Sequence, residues 1–155
     1  MNIFVLDRDP RRAAALMMNK HVVKMVLESA QMLSTNIMVV NGLDRSEVPY
    51  KPTHQNHPSA VWARETMSNH EWLLDHSLGL CEEYTLRYSK VHKSQSVIEW
   101  AIDNPPRIEG TGLTPFYQAM SEDCKHPTDS TIAYKTYYKR HKLHLLGKNE
   151  TLKFD

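Results

Sequence analysis

Three ionisable residues stand within two turns of one predicted helix, in the stretch NKHVVKMVLESAQMLST from Asn19 to Thr35. His21, Lys24 and Glu28, with Gln31 and Thr35, recur at steps of three and four, which places them on one stripe of a helix. Val22, Val26, Ala30, Leu33 and Ile37 form a separate apolar stripe, so the helix is expected to pack by one face and present the other. An acid, a base and a cation so arranged can surround a bound group and move its protons. The same spacing also describes a solvated face on which Lys24 and Glu28 make an ordinary i,i+4 ion pair.

Other chemistry-bearing residues lie outside that helix. Asn56, His57 and Pro58 directly precede a predicted helix start, where side chains and free backbone N–H groups can face an anion. Tyr134, Tyr137 and Tyr138 alternate with Lys135, Lys139 and Arg140, a pattern that could stack a base and hold its phosphates, or form the edge of a core. Nine histidines raise the question of a metal, but none stands in an HExxH helix, a Cys/His finger or a Glu-x-x-His pair, so neither a metal nor another cofactor is expected. Cys81 and Cys124 match no ligand spacing and read as free thiols. Phosphate-binding glycine loops and the GxSxG elbow are absent.

The elements that must position these groups follow from caps and breakers. A chain of 155 residues with 41% hydrophobic and 24% charged residues suits one domain over 1–155 with a buried core. Asn2–Leu6 is a short apolar, extended segment. Asp9 and Pro10 open a short helix over Arg11–Met18, and the main helix follows, ending at Asn41 and Gly42. Leu43–Pro58 reads as a loop. Ser59 is expected to cap a helix carrying Val61, Trp62 and Arg64. Ser68 and Glu71 have the spacing of a capping box for a longer helix, whose apolar stripe is Leu74, Leu78, Cys81 and Tyr88, with Glu82 and Glu83 outward. Ser94 is expected to cap a short helix with Val97, Ile98, Ala101 and Ile102, stopped by Asn104, Pro105 and Pro106. Arg107–Pro127, with its glycines and prolines, is a long irregular segment, and a last helix runs from Asp129 to Leu146. The expected fold is therefore mainly α: a compact single-domain helical bundle with a short extended N-terminal segment and long Pro- and Gly-containing loops.

No apolar run is long enough to span a membrane, and Met1–Leu6 is too short for a signal peptide, so a cytoplasmic, intracellular protein is expected. The net charge of +1 neither requires nor excludes nucleic acid, because position decides phosphate affinity. Basic residues gather in Tyr134–Lys148 and again in Arg8, Arg11, Arg12, Lys20 and Lys24. Should the two groups meet in space, they form a phosphate-binding rim; otherwise they are solvated side chains. The oligomeric state is not encoded in any pattern.

Taken together, these segments resemble the pyrimidine-dimer DNA glycosylases, the phage endonuclease V-like family of small helical enzymes. The likeness lies in the opening MNIF, the Leu6–Pro10 segment, His21 with Glu28 on one helix, and Asn56-His57-Pro58 followed by Trp62. It continues through Trp72–Lys90, with Glu83 and Arg87-Tyr88, to Tyr134-Lys135-Thr136-Tyr137-Tyr138. The resemblance implies DNA as partner and a chemistry in which the chain's own α-amine attacks C1′ of a deoxyribose and displaces the base. The Schiff base so formed can go on to β-elimination. An α-amine, with an ordinary pKa of about 7.7–8.0, keeps a nucleophilic fraction near neutrality.

The implied catalytic residues are Met1 and Glu28, Glu28 stabilising the cationic sugar and shuttling protons. Met1 is expected to stay in place because the bulk of Asn2 hinders its removal, and Asn2 stands where the family tends to carry a basic residue. His21, Lys24, Arg11 and Arg12 are the implied phosphate contacts; Asn2, Asn56, His57, Tyr137 and Lys139 complete the expected substrate-binding set. Two other functions use the same residues: hydrolysis of a free nucleotide or nucleoside, and nucleic-acid binding without catalysis.

Overall fold

Asp9 starts the first helix as expected. Its carboxylate accepts from the backbone N–H groups of Arg11 and Arg12, and Pro10 occupies the first helical position of α1 (Pro10–Ala15). The computed structural model describes all of residues 1–155. α1 stops three residues short of the expected Met18 because Arg87, from another helix, takes its terminal carbonyls. The guanidinium donates to Ala15 O and Met17 O at 3.0 and 2.7 Å and to Asn19 Oδ1 at 3.0 Å, while Glu83 anchors it from 2.9 Å. Glu83 is thus turned into this joint rather than outward.

α2 (Asn19–Asn41) closes on Gly42, whose φ of 64° is the left-handed conformation that favours glycine. At its start Met18 supplies no side-chain cap. Instead Glu150, from the far end of the chain, accepts the Asn19 N–H at 2.7 Å. The expected polar face of α2 is solvated only in part: Lys24 is exposed, but His21, Glu28 and Thr35 are buried along with Val22, Val26, Ala30, Leu33 and Ile37. The reason is coverage from several sides. The loop after α2 is tied down by Tyr50 on Ser34 and by Thr53 on Thr35, while α4 and α5 pack elsewhere on the helix.

α3 (Pro58–Ala63) is capped not by Ser59 but by His57, whose Nδ1 accepts the Ser59 N–H. α4 (Met67–Tyr88) begins at Thr66, which accepts from Asn69 N–H, so the Ser68/Glu71 box does not form. Its buried stripe is Trp72, Leu73, His76, Leu80, Cys81 and Tyr84. Leu74 and Leu78 lie at the margin and Tyr88 is exposed, because α4 packs against α1, α2, α3 and α5 and must turn a wide face inward. Gly79 lets α1 approach, since a Cβ there would stand 3.1 Å from Ala14 Cβ.

α5 (Gln95–Asp103) ends at the expected Asn-Pro-Pro stop, but Ser94 makes no side-chain cap at its start because its hydroxyl is engaged by the Tyr50 hydroxyl at 2.8 Å. The 107–127 segment is irregular apart from a 3-10 turn at Glu122–Cys124, and it straps α3 and α4: Met67 donates to Gly110 O and Thr114 to Asn69 Oδ1. Phe116 in this strap closes an aromatic cluster with Trp62 and Trp72.

The last helix is shorter than its basic and aromatic pattern suggests. α6 (Ser130–Tyr137), capped by Asp129, widens into a π turn at Tyr138–Lys142 and tightens into a 3-10 turn at Leu143–Leu145. Tyr134 and Tyr138 are fully buried, which makes them core rather than a stacking surface. The architecture is mainly α without strands, as expected. No helix is long and apolar enough to cross a membrane.

Candidate active site

The first six residues form an arm pinned into the core, and that arm decides where the α-amine sits. Ile3, Phe4, Val5 and Leu6 are buried. Phe4 takes a φ of 58°, an uncommon conformation for a residue with a side chain, and packs against His21 at 4.2 Å between ring centres. Asn2 holds the bend: Oδ1 accepts the N–H groups of Ile3 and Phe4, and Nδ2 donates to Ala119 O at 2.9 Å. Its polar atoms are thus engaged with backbone, so Asn2 is a bracket for the arm.

Beyond this bracket the Met1 nitrogen lies 3.5 Å from Glu28 Oε1. The Met1 side chain is only 1% exposed although the residue is half-buried, so the part of Met1 that meets solvent is its main-chain end. Glu28 also accepts the Asn2 N–H at 3.2 Å on the same oxygen, and its other oxygen faces Lys24 Nζ at 3.6 Å. The amine and carboxylate open into a cavity of about 590 Å³. Lys20 and Lys24 from α2 and Lys142 from the π turn line it, together with His21, His57, Tyr117 and Tyr137. The two basic groups of the sequence meet here in part, through these three lysines.

Both histidines of the cavity are held below their ordinary pKa. His21 shares a 2.7 Å hydrogen bond between Nδ1 and the Tyr138 hydroxyl, and burial, reinforced by Lys142 and Lys24 against Glu150, holds its pKa at about 4. His57 is likewise held below its ordinary value by burial, then by the charge of the Met1 amine and by His54, with Glu28 opposing. His21 therefore offers little positive charge to an anion, and the lysines are the cationic side chains lining the cavity.

Several expected site residues lie elsewhere. Arg11 pairs with Glu82 at 2.6 Å and Arg12 with Asp7 at 3.2 Å, and neither lines the cavity. Lys139 stands 6.0 Å over the ring of Phe154. Asn56 borders a neighbouring, larger cavity of about 890 Å³ that shares Pro58 and Tyr117 with the first and is walled by Trp62 and Phe116. Its carboxylates already have partners: Glu65 accepts from Thr114, and Glu122 pairs with Lys125. Lys20 and Lys142 belong to the basic runs of the sequence, but nothing in those runs distinguishes them from Arg11 or Lys139. Tyr117 lies in the irregular strap and carries no local signal.

Asp123, Cys124 and His141 bring possible metal-binding atoms within 4.8 Å of one another. They form a network of their own, in which the Asp123 carboxylate accepts from Ser121 and His141 and faces Arg140 at 3.6 Å.

A sequence model described as pyrimidine dimer DNA glycosylase matches residues 1–96. The chain belongs to this family. The matched stretch supplies Met1, Glu28, Lys20, Lys24 and His57, whereas Tyr117, Tyr137 and Lys142 of the same cavity come from the remainder. No curated protein and no solved structure matches the chain.

Proposed function

We propose that this protein is a DNA N-glycosylase acting on a damaged pyrimidine, with the Met1 α-amine as nucleophile and Glu28 as its partner carboxylate. The observation that supports this reading above others is the 3.5 Å approach of that amine to Glu28 at the wall of a lysine-rimmed cavity. As a chemical class, α-amines give up their proton far more readily than lysine ε-amines, which favours Met1 over Lys20, Lys24 and Lys142 as the attacking group.

The steps follow from the charges. Lys20, Lys24 and Lys142 hold the phosphates on either side of a nucleotide turned out of the stack. The amine attacks C1′, and the carboxylate beside it stabilises the positive sugar while the glycosidic bond lengthens. Glu28 then accepts a proton from the attacking nitrogen and passes it to O4′, so that the C1′–O4′ bond opens as the nitrogen lone pair forms the C=N bond of a Schiff base. The same carboxylate is placed to assist removal of a C2′ proton, so that strand cleavage by β-elimination is an extension of the site's chemistry.

The reading is tested on duplex DNA carrying a single cyclobutane pyrimidine dimer. The protein with a free amino terminus cleaves the glycosidic bond of the dimer's 5′ pyrimidine, read as base release after photoreversal of the cyclobutane ring, and the folded, Nα-acetylated protein cleaves none. Equal release by both forms refutes the amine mechanism. Activity confined to free nucleosides identifies a nucleotide hydrolase, and salt-sensitive DNA binding without product identifies a binding module.

A further inference from the structure

The glycosylase reading leaves one charge unattended: the electron pair that the base carries away. We infer that His57 is a further catalytic residue, giving a hydrogen bond from Nε2–H to the carbonyl oxygen of the departing pyrimidine; the inference rests on the glycosylase reading above.

The tautomer follows from the fold. His57 Nδ1 accepts the Ser59 N–H at 3.1 Å as the cap of α3 and therefore carries no proton. In a neutral imidazole the proton then resides on Nε2. That nitrogen has no partner within the protein and is not sealed in the core, while the ring lines the cavity that holds Met1 and Glu28. The groups that face it electrostatically are the Met1 amine, His54 and Glu28, and with burial their sum favours the neutral ring. A neutral donor is a poor clamp for phosphate, which the lysines serve. It suits a carbonyl oxygen on which charge develops.

Placement points the same way. His57 stands beside Pro58, which together with Tyr117 forms the partition between the amine cavity and the larger aromatic-walled one. The base freed from C1′ has the apolar walls of Trp62 and Phe116 to pack against on the far side. In the step itself, the nitrogen–C1′ bond forms as the C1′–N1 bond breaks, and its electron pair passes to the base, shared between N1 and O2. His57 keeps its proton and stabilises that anion by the hydrogen bond. The proton lost by the attacking nitrogen goes to Glu28, and the base, freed from C1′ but still tethered through the cyclobutane ring, is protonated by solvent.

The test separates base departure from the chemistry of the sugar. His57→Ser retains a strong helix cap ahead of Pro58 but removes the donor. Wild type and variant are compared on the dimer-containing duplex, read as base release after photoreversal of the cyclobutane ring, and on a duplex with a preformed abasic site, read as the rate of borohydride-trapped adduct. Base release by the variant is expected to fall about 10²–10³-fold, while abasic-site trapping stays within roughly threefold of wild type. Wild-type base release by His57→Ser overturns the role of His57, and an equal fall in both reactions assigns it a structural role only. Failure of the wild type to form any adduct on abasic DNA overturns the glycosylase reading itself, and this inference with it.

Discussion

Glu28 joins three cationic or donor groups through two oxygens, so its replacement tests more than charge. In Glu28→Gln the amide oxygen can still accept the Asn2 N–H, but the contacts to the Met1 amine and Lys24 lose their attraction. Base release is expected to fall by at least about 10²-fold, while the unfolding free energy drops by about 1–2 kcal/mol, as read from parallel turnover and urea denaturation. Lys142→Ala has a different signature. It should weaken DNA binding evenly across sequences and lower the slope of log affinity against log salt by about one. At this scale the sequence is informative where helical spacing suffices: Lys24 and Glu28 are where their i,i+4 relation puts them. It is uninformative where a distant partner decides. Nothing local shows that Glu82 and Asp7 claim Arg11 and Arg12, or that burial, with His21 packed on Phe4 and bonded to Tyr138, lowers the pKa of that ring.

Among the elements, the joint between α1 and α2 and the start of α2 depend on residues far away in the chain. Glu150, its side chain only 7% exposed, accepts both the Asn19 and Gly147 N–H groups and pairs with Lys153. Glu150→Ala should therefore cost about 0.5–2 kcal/mol, the usual range for a lost helix cap. Because α2 carries Lys20, Lys24 and Glu28, DNA affinity should fall with it; an unchanged denaturation midpoint would show that the cap is not needed. Starts and stops written in adjacent residues, such as Asp9-Pro10 and Asn41-Gly42, are legible. The π turn is not, because Tyr138 is held in the core by packing on His21 and Phe154 and not by any breaker. That wider turn continues into Lys142, the rim lysine that an ideal-helix reading of the segment does not single out.

For the molecule as a whole, the buried histidines set a limit in acid. His21, His70 and His76 are each held at about pKa 4 by burial, against about 6.5 in the unfolded chain. Their folded values are depressed, so the stability they confer is complete above pH 6.5 and is lost as pH falls towards 4, where the unfolded chain binds more protons. The urea midpoint should decline across that window, and a flat profile would contradict the burial of neutral rings. The mainly α fold is legible because caps and apolar periods agree. The cavity is not, because its walls come from the amino-terminal arm, α2, the strap and the π turn, and only packing brings these together.

The central claim concerns which of four amines in that cavity attacks the sugar, and the direct measurement is to map the borohydride-stabilised adduct on abasic DNA by peptide mass spectrometry. The adduct is expected on the α-nitrogen of Met1. An adduct on the ε-nitrogen of Lys20, Lys24 or Lys142, with Met1 unmodified, would contradict the account.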